Sequence, residues 1–235
     1  MTCRGRVLAL IPAHNEAASL PTVVHELRAR HPNLDILVVD DGSSDETVAR
    51  LRELGVRWLH WPERRGIGIA LRAGLRYAAR HGYDIVVRLD ADGQHHVDDI
   101  PGLLAPLQDG RADVVLGSRF AAPGRARHRR MAQHLLGAVL SLMTRRRVTD
   151  PTSGFCALGP RAVAMLSENH PAGYPEPELH LFLSRNGLHV VEVHVRSRAR
   201  LHGQTSLTLV RIMAAAARVA LAMIIVPFRP SLRLR

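Results

Sequence analysis

Short apolar runs alternate with helical stretches along the first half of the chain. This alternation narrows the fold to an α/β architecture, a mostly parallel sheet flanked by helices. Residues 7–11 read as a strand, with a helix from beyond Glu16 to Arg30 and a second strand at 36–39. Gly42-Ser43-Ser44-Asp45 turns into a helix over 46–54, with Ser44 or Asp45 as its N-cap. A strand at 56–60, a helix from Gly66 toward Gly82 and a strand at 85–89 follow. Asp98-Asp99-Ile100-Pro101 opens a further helix before a strand at 114–117. Beyond Phe120, an Arg-rich loop leads to an apolar helix over 131–143. Helices near 160–168, 176–186 and 207–226 and a strand at 190–195 complete the chain. No linker or internal repeat interrupts the 235 residues, so a single domain is expected.

The basic residues exclude several chemistries. All 32 residues counted as Lys+Arg are arginine. Schiff-base enzymes, the P-loop and the kinase fold each need a lysine amine and are therefore ruled out. Two cysteines, Cys3 and Cys156, supply neither a disulfide framework nor a thiolate zinc site, which suits a reducing cytosol. The net charge of +11 is unevenly divided: residues 1–119 hold 15 Arg against 16 acids, while residues 120–235 hold 17 Arg against five. A half of charge +12 fits an anionic partner or a solvated arginine-rich surface. With only 4% aromatic residues and no nucleic-acid-binding motif, nucleic acid is not the expected partner.

No cleavable signal peptide is expected, because only five apolar residues separate Arg6 from Pro12. Residues 207–226 approach the length of a membrane span, but Arg211 and Arg218 interrupt them. Seven residues apart, these arginines share a helical face, as in an interfacial or core-packed helix. Arg229, Arg233 and Arg235 follow, placed to meet lipid headgroups if that helix lies on a membrane.

In open α/β sheets, ligands sit beyond the carboxyl ends of the strands, and the polar residues cluster there. Pro12-Ala13-His14-Asn15-Glu16, Asp40-Asp41-Gly42-Ser43-Ser44-Asp45 and Asp90-Ala91-Asp92-Gly93-Gln94-His95 each follow a strand. Three acidic strand ends around one crevice call for a cation between them. Two carboxylates at i and i+2, beside a glycine and an amide, suit Mg²⁺ or Mn²⁺, which complete their shells with substrate phosphates. Read alone, the same residues make an ordinary turn. No second His at zinc-ligand spacing accompanies His95 and His96. Gly66-x-Gly68 lacks a full phosphate-loop fingerprint and reads as helix entry and packing.

The ordered stretches LALIPAHNEAASL, ILVVDDGSSDET, RGIGIALRAGL, RLDADGQHHVDDIPGLL, DVVLGSRF and DPTSGFCAL resemble family 2 glycosyltransferases. Within that family they are most similar to the polyprenyl-phosphate (dolichol-phosphate mannose synthase-like) sugar synthases, and the likeness continues through YPEPELHLFLSRNGLHVVEVHVRSRARLHGQTSL. The resemblance implies a Rossmann-like GT-A fold and metal-dependent, inverting transfer of a hexose from a nucleoside diphosphate sugar. GDP-mannose or a UDP-hexose would be the donor, and polyprenyl phosphate or another anionic molecule the acceptor. By motif match, Pro12, His14, Glu16, Val39 and Asp41 would line the nucleoside pocket, with Asp41 reading the base or ribose edge. Asp90, Asp92 and Gln94 would hold Mg²⁺ or Mn²⁺ against the diphosphate, with Ala91 alongside the donor. Arg119 would face the sugar and phosphates, and Arg200 would close over them. Asp92 and Arg119 would thus be catalytic, stabilising charge on the departing diphosphate. Residues 1–119 would form the nucleotide-sugar half, 120–206 the acceptor half and 207–235 an amphipathic helix with a basic tail. A cytoplasmic enzyme in peripheral contact with the inner face of the cell membrane is implied.

The chain departs from the family pattern at Ile67 and His202, where relatives often carry basic residues, and no lysine stands near Ser206. An ionised lipid phosphate needs no strong general base, whereas a sugar hydroxyl would. Glu176 and Glu178 are the candidate bases for a hydroxyl acceptor, or else partners of a helix dipole. Asp150 reads equally as acceptor-site geometry or loop structure. The arginines over 125–130 and 145–147 suit either acceptor-phosphate contacts or solvated charge.

Overall fold

A computed structural model describes residues 5–119, 127–171 and 175–199, with backbone alone at 127–132 and 175. The expected 207–226 helix, the basic tail and Arg200 lie outside the described residues.

The apolar runs form strands β1 (Val7–Ala13), β2 (Asp35–Asp40), β3 (Arg57–His60), β4 (Ile85–Arg88), β5 (Val114–Ser118), β6 (Cys156–Leu158) and β7 (Val190–His194). They make one seven-stranded sheet in the order β3-β2-β1-β4-β6-β5-β7. Only β6 runs antiparallel to its neighbours β4 and β5; the other pairings are parallel. Strand order reverses direction between β1 and β4, which opens a crevice at their carboxyl ends. Since β6 is antiparallel, the loop entering it reaches that same edge. This three-residue strand was not expected from the sequence, being too short to show a period.

Helices α1 (Leu20–Arg30), α2 (Thr47–Leu54), α3 (Ile67–Arg80), α4 (Ile100–Gln108), α5 (Arg127–Thr144), α6 (Pro160–Asn169) and α7 (Pro175–Arg185) flank the sheet. Strand alternation divides the core in two. Ala9, Ile11, Val38 and Val87 pack with Leu20, Val24 and Leu27 of α1 and Ile100 and Leu103 of α4. Leu8, Leu10, Leu37 and Val86 pack on the other face with Leu71 and Leu75 of α3, Leu166 of α6 and Leu183 of α7. Gly74 lets α3 approach closely, since a Cβ there would stand 2.2 Å from Leu10 Cδ1.

Three helix starts differ from expectation, α5 among them: it begins at Arg127, inside the expected Arg-rich loop. Residues 16–19 form a turn, in which the Glu16 carbonyl accepts from Ser19 and Leu20, and α1 begins only at Leu20. Pro21 fits that first helical turn, where its missing N–H leaves no bond unmade. At α2 the N-cap position is Glu46 rather than Ser44 or Asp45, and its side chain makes no capping bond; Asp45 Oδ1, one residue earlier, accepts from Thr47 N at 3.0 Å and Thr47 Oγ1 at 2.5 Å.

Candidate active site

The crevice begins where the loops after β1 and β2 interlock. Asn15, at φ +58°, donates its N–H to Ser43 Oγ at 2.8 Å and accepts from Ser44 N at 2.8 Å. His14 Nδ1 donates to the Asp41 carbonyl at 2.9 Å, and Glu16 N to Thr47 Oγ1 at 2.9 Å. Asp40, buried, receives Ser43 Oγ–H and His60 Nδ1, the latter at 2.7 Å.

Asp41 is committed to the loop ahead of α3. Its Oδ1 accepts from Arg65 N at 2.7 Å and its Oδ2 from Gly66 N at 2.9 Å, leaving the side chain buried. Gly42, at φ +68°, allows this approach, since a Cβ would stand 2.5 Å from the Glu63 and Arg64 backbone. The carboxylate expected to read a base or ribose therefore clasps two loops together in this structure. Two other residues expected at the pocket have buried side chains. Val39 is fully buried against α3, and Ala91 is 2% exposed in the opposite core layer. Their side chains are packing residues. Pro12 is buried in the β1–β2 ladder opposite Val39.

The end of β4 carries the densest charge. Asp90 is 35% exposed, whereas Asp92 is 4% exposed and its Oδ1 accepts from Gln94 N at 3.0 Å. His95 Nε2 lies 3.3 Å from Asp90 Oδ2, and its ring stacks on Phe155 at a centroid distance of 4.7 Å. Gly154 brings its backbone against this group: a Cβ would fall 2.9 Å from Asp90 Oδ2 and 3.0 Å from Arg88 Nη2. Burial opposes ionisation of Asp90, yet the His95 hydrogen bond and the Arg88 and Arg119 charges hold its carboxyl well below the usual range.

Arg88, with a side chain only 4% exposed, points from β4 toward α7. Its Nη2 donates to Glu176 Oε1 at 2.6 Å and stands 3.7 Å from Asp90 Oδ1. Burial works against the guanidinium charge, but Glu176 and Asp90 outweigh it and hold the group firmly protonated. The same burial pushes the Cys156 thiol, its partner across the ladder, up to about 11. Glu178 stands in the same first turn of α7, partly buried. Sequence reasoning missed Arg88, although a signal was present: a charge ending a buried apolar strand requires a counter-ion.

Across the crevice, Arg119 is held by the loop before β6. Its Nε donates to Asp150 Oδ2 at 2.8 Å and its Nη2 to Asp150 Oδ1 at 3.2 Å, with side chains 9% and 4% exposed. Thr152 Oγ1 accepts from Arg119 Nη2 at 3.3 Å and from Gln133 Nε2 at 2.7 Å. Asp150 thus has a definite task, fixing this guanidinium. A strap after β7 closes the far side: Arg198 N donates to the Gln94 carbonyl at 3.0 Å and Arg198 Nε to that of Gly93. The Arg198 guanidinium also grips Glu26 at 2.6 and 2.9 Å.

The structure therefore brings Asp90, Asp92, Gln94, Arg119 and Glu176 to one edge of the sheet, with His14 and Glu16 on the neighbouring loop. Among the described residues, no three His, Cys, Asp or Glu side chains form a preformed metal cage. The donor set nevertheless fits a hard divalent ion: oxygen donors only, the carboxylates of Asp90 and Asp92 with the Gln94 amide, and Asp90 is partly exposed. Such ions use one or two protein carboxylates and take further oxygens from substrate phosphates.

The family model for Glycosyl transferase family 2 matches residues 9–165. Over 161 residues, the chain is 36% identical to the undecaprenyl-phosphate mannosyltransferase of Micrococcus luteus, spanning 65% of each protein. Over 129 residues it is 38% identical to the polyprenol monophosphomannose synthase of Mycolicibacterium smegmatis, spanning 52% of this chain and 48% of that relative. Glucosyl-3-phosphoglycerate synthase from Mycobacterium tuberculosis, solved in complex with Mn²⁺, UDP and glucosyl-3-phosphoglycerate, superposes with a TM-score of 0.72. At 23% identity, covering 95% of this chain and 80% of that one, the likeness is one of fold, the GT-A type.

Proposed function

The chain belongs to glycosyl transferase family 2, and from that premise we propose that it moves a hexose from a nucleoside diphosphate sugar to polyprenyl phosphate. A mannosyl donor such as GDP-mannose is favoured, since the two relatives above are named for transfer or synthesis of mannose on a polyprenyl carrier. The observation that carries this reading is the Asp90–Asp92 pair at the switch point of the sheet, facing the Arg119–Asp150 pair.

Asp90 and Asp92, with Gln94, would hold Mg²⁺ or Mn²⁺; the fold relative crystallised with Mn²⁺ supports a divalent ion. Once bound, the ion would neutralise charge developing on the departing diphosphate. The chain's own residues do the rest. Gln94 N–H orients Asp92, and His95 orients Asp90. Arg119, prevented by Asp150 from swinging away, presents a fixed positive field to the leaving group. His14 and Glu16, on the loops locked by Asn15, line the nucleoside side, with Asp41 setting the wall at Arg65 and Gly66. Arg200 follows the Arg198 strap and would close over the diphosphate.

The acceptor phosphate is ionised near neutral pH and attacks the anomeric carbon without a base. The geometry argues the same way, since Glu176 Oε1 is taken up by Arg88 Nη2 at 2.6 Å rather than offered to an acceptor hydroxyl. A cytoplasmic protein touching the membrane surface through its basic half suits such an acceptor. Among the described residues, no helix is long and apolar enough to cross a membrane.

The test is transfer of labelled mannose from GDP-mannose to polyprenyl phosphate in detergent micelles, with UDP-glucose run in parallel. Label is expected in the organic phase with Mn²⁺ or Mg²⁺, and is lost in chelator and in Asp92→Ala. Transfer that persists in chelator would overturn the metal role, and label found only on soluble acceptors would overturn the lipid acceptor.

A further inference from the structure

Two carboxylates compete for one nitrogen at the end of β4. Arg88 Nη2 lies 2.6 Å from Glu176 Oε1, a short charge-assisted hydrogen bond, and 3.7 Å from Asp90 Oδ1, beyond hydrogen-bond reach. Glu176 therefore holds the guanidinium by a hydrogen bond, whereas Asp90 keeps only the longer ion pair with it and a side chain 35% exposed. Arg88 has few alternatives: its side chain is 4% exposed, and its Nε is buried with no hydrogen-bond partner among the described residues. A guanidinium cannot shed its proton to escape burial. If the charge on Glu176 were removed, Arg88 would turn to the other carboxylate beside it, Asp90.

We infer that Glu176 is a positioning residue, the nearer counter-ion that keeps Arg88 from closing to a hydrogen bond on Asp90 and so leaves Asp90 available to a divalent cation. The inference rests on the metal-binding reading above and adds a residue from the acceptor-side helix α7. A close Arg88–Asp90 hydrogen bond and a metal–Asp90 bond would draw on the same carboxylate charge, so each would weaken the other. Glu176 decides that competition without touching the cation. It also links the first turn of α7 to the donor edge of the sheet, across the α3–α6–α7 face on which Arg88 lies.

The experiment is titration of the full chain with Mn²⁺, alone and with GDP or UDP, reading free Mn²⁺ by electron paramagnetic resonance. Outer contacts of metal ligands typically change affinity by about 10–100-fold, and Glu176→Gln is expected to weaken Mn²⁺ binding within that range. Removing the competitor as well, in Arg88→Gln/Glu176→Gln, should recover most of the loss. Arg88→Gln alone should bind Mn²⁺ at least as tightly as the parent, which keeps the test decisive if Glu176→Gln does not fold. Unchanged affinity in Glu176→Gln overturns the inference, as does a double variant as weak as the single or weaker binding in Arg88→Gln. Were Glu176 a general base, Glu176→Gln would lower kcat and leave Mn²⁺ affinity untouched. A parent chain that binds no Mn²⁺ under any of these conditions would remove the metal reading itself, an outcome distinct from the others.

Discussion

The backbone of Gly154 stands against the carboxylate of Asp90 so closely that a single added carbon would lie 2.9 Å from Oδ2 and 3.0 Å from Oδ1. The loop entering β6 can touch the end of β4 only because β6 runs antiparallel between β4 and β5. Gly154→Ala must therefore displace either the loop or Asp90. Overpacking of this kind typically costs about 1–3 kcal/mol. The expected outcome is a modestly lowered unfolding midpoint and at least a tenfold fall in metal-dependent donor binding (~1.4 kcal/mol), measured by calorimetric titration. Donor binding equal to the parent's would show that Asp90 tolerates the displacement.

Asp150 and Arg119 form the other tight pair, with side chains 4% and 9% exposed. Breaking a buried pair from one side leaves a charge without its counter-ion, a loss of about 3–5 kcal/mol. Asp150→Asn should show that loss in urea denaturation, and donor affinity should fall because Arg119 is no longer held in place. Arg119→Gln combined with Asp150→Asn should regain stability but not turnover. If the double variant turned over normally, Arg119 would have no part in the chemistry.

Much of this was legible in the sequence, and the exceptions share a cause. Strand and helix order followed from local alternation, and the acidic strand ends pointed to the crevice because the topology of parallel sheets gathers them there. Partnership at long range was not legible. Arg88 and Glu176 are 88 positions apart, and only the fold tells which carboxylate an arginine meets. Asp41 and Val39 illustrate the reverse difficulty. They occupy motif positions beside the crevice, yet one is used to hold Arg65 and Gly66 and the other to pack against α3. A motif locates the loop, whereas the direction of each side chain is set by packing.

Arg198 offers a test of the strap that borders the metal loop. Its guanidinium meets both oxygens of Glu26, at 2.6 and 2.9 Å, and its Nε the Gly93 carbonyl. The pair is only partly exposed, at 27% and 31%, so its loss should cost about 1 kcal/mol or less in stability. The larger effect is expected on the loop. Arg198→Ala should raise the KM for the donor several-fold while the melting temperature shifts by only a few degrees. Arg198→Lys should rescue little, because an ammonium cannot reproduce the two-pronged contact while also reaching Gly93. Full rescue by lysine would reduce the contact to simple charge.

Stability should fall as the solution becomes mildly acidic, for a reason located in two buried histidines. Burial lowers both His170 and His180 from 6.5 to about 4, so each is neutral in the fold. Arg88 adds to the effect at His170, whereas Asp150 partly opposes it at His180. Between pH 6.5 and 4 the unfolded chain binds protons that the folded chain refuses, and unfolding is favoured as pH drops through that window. Above pH 6.5 the two residues contribute no pH dependence, and below about 4 their effect is complete. A shift of this size corresponds to roughly 3 kcal/mol per histidine at the acid end. Urea midpoints measured from pH 7.5 to 4.5 should decline, and the slope should flatten by about half in His180→Gln. The Gln variant keeps a hydrogen-bonding side chain but takes up no proton in this range. A slope unchanged by that substitution would show that His180 takes up its proton as readily in the folded chain as in the unfolded one, and would overturn its share of the acid sensitivity.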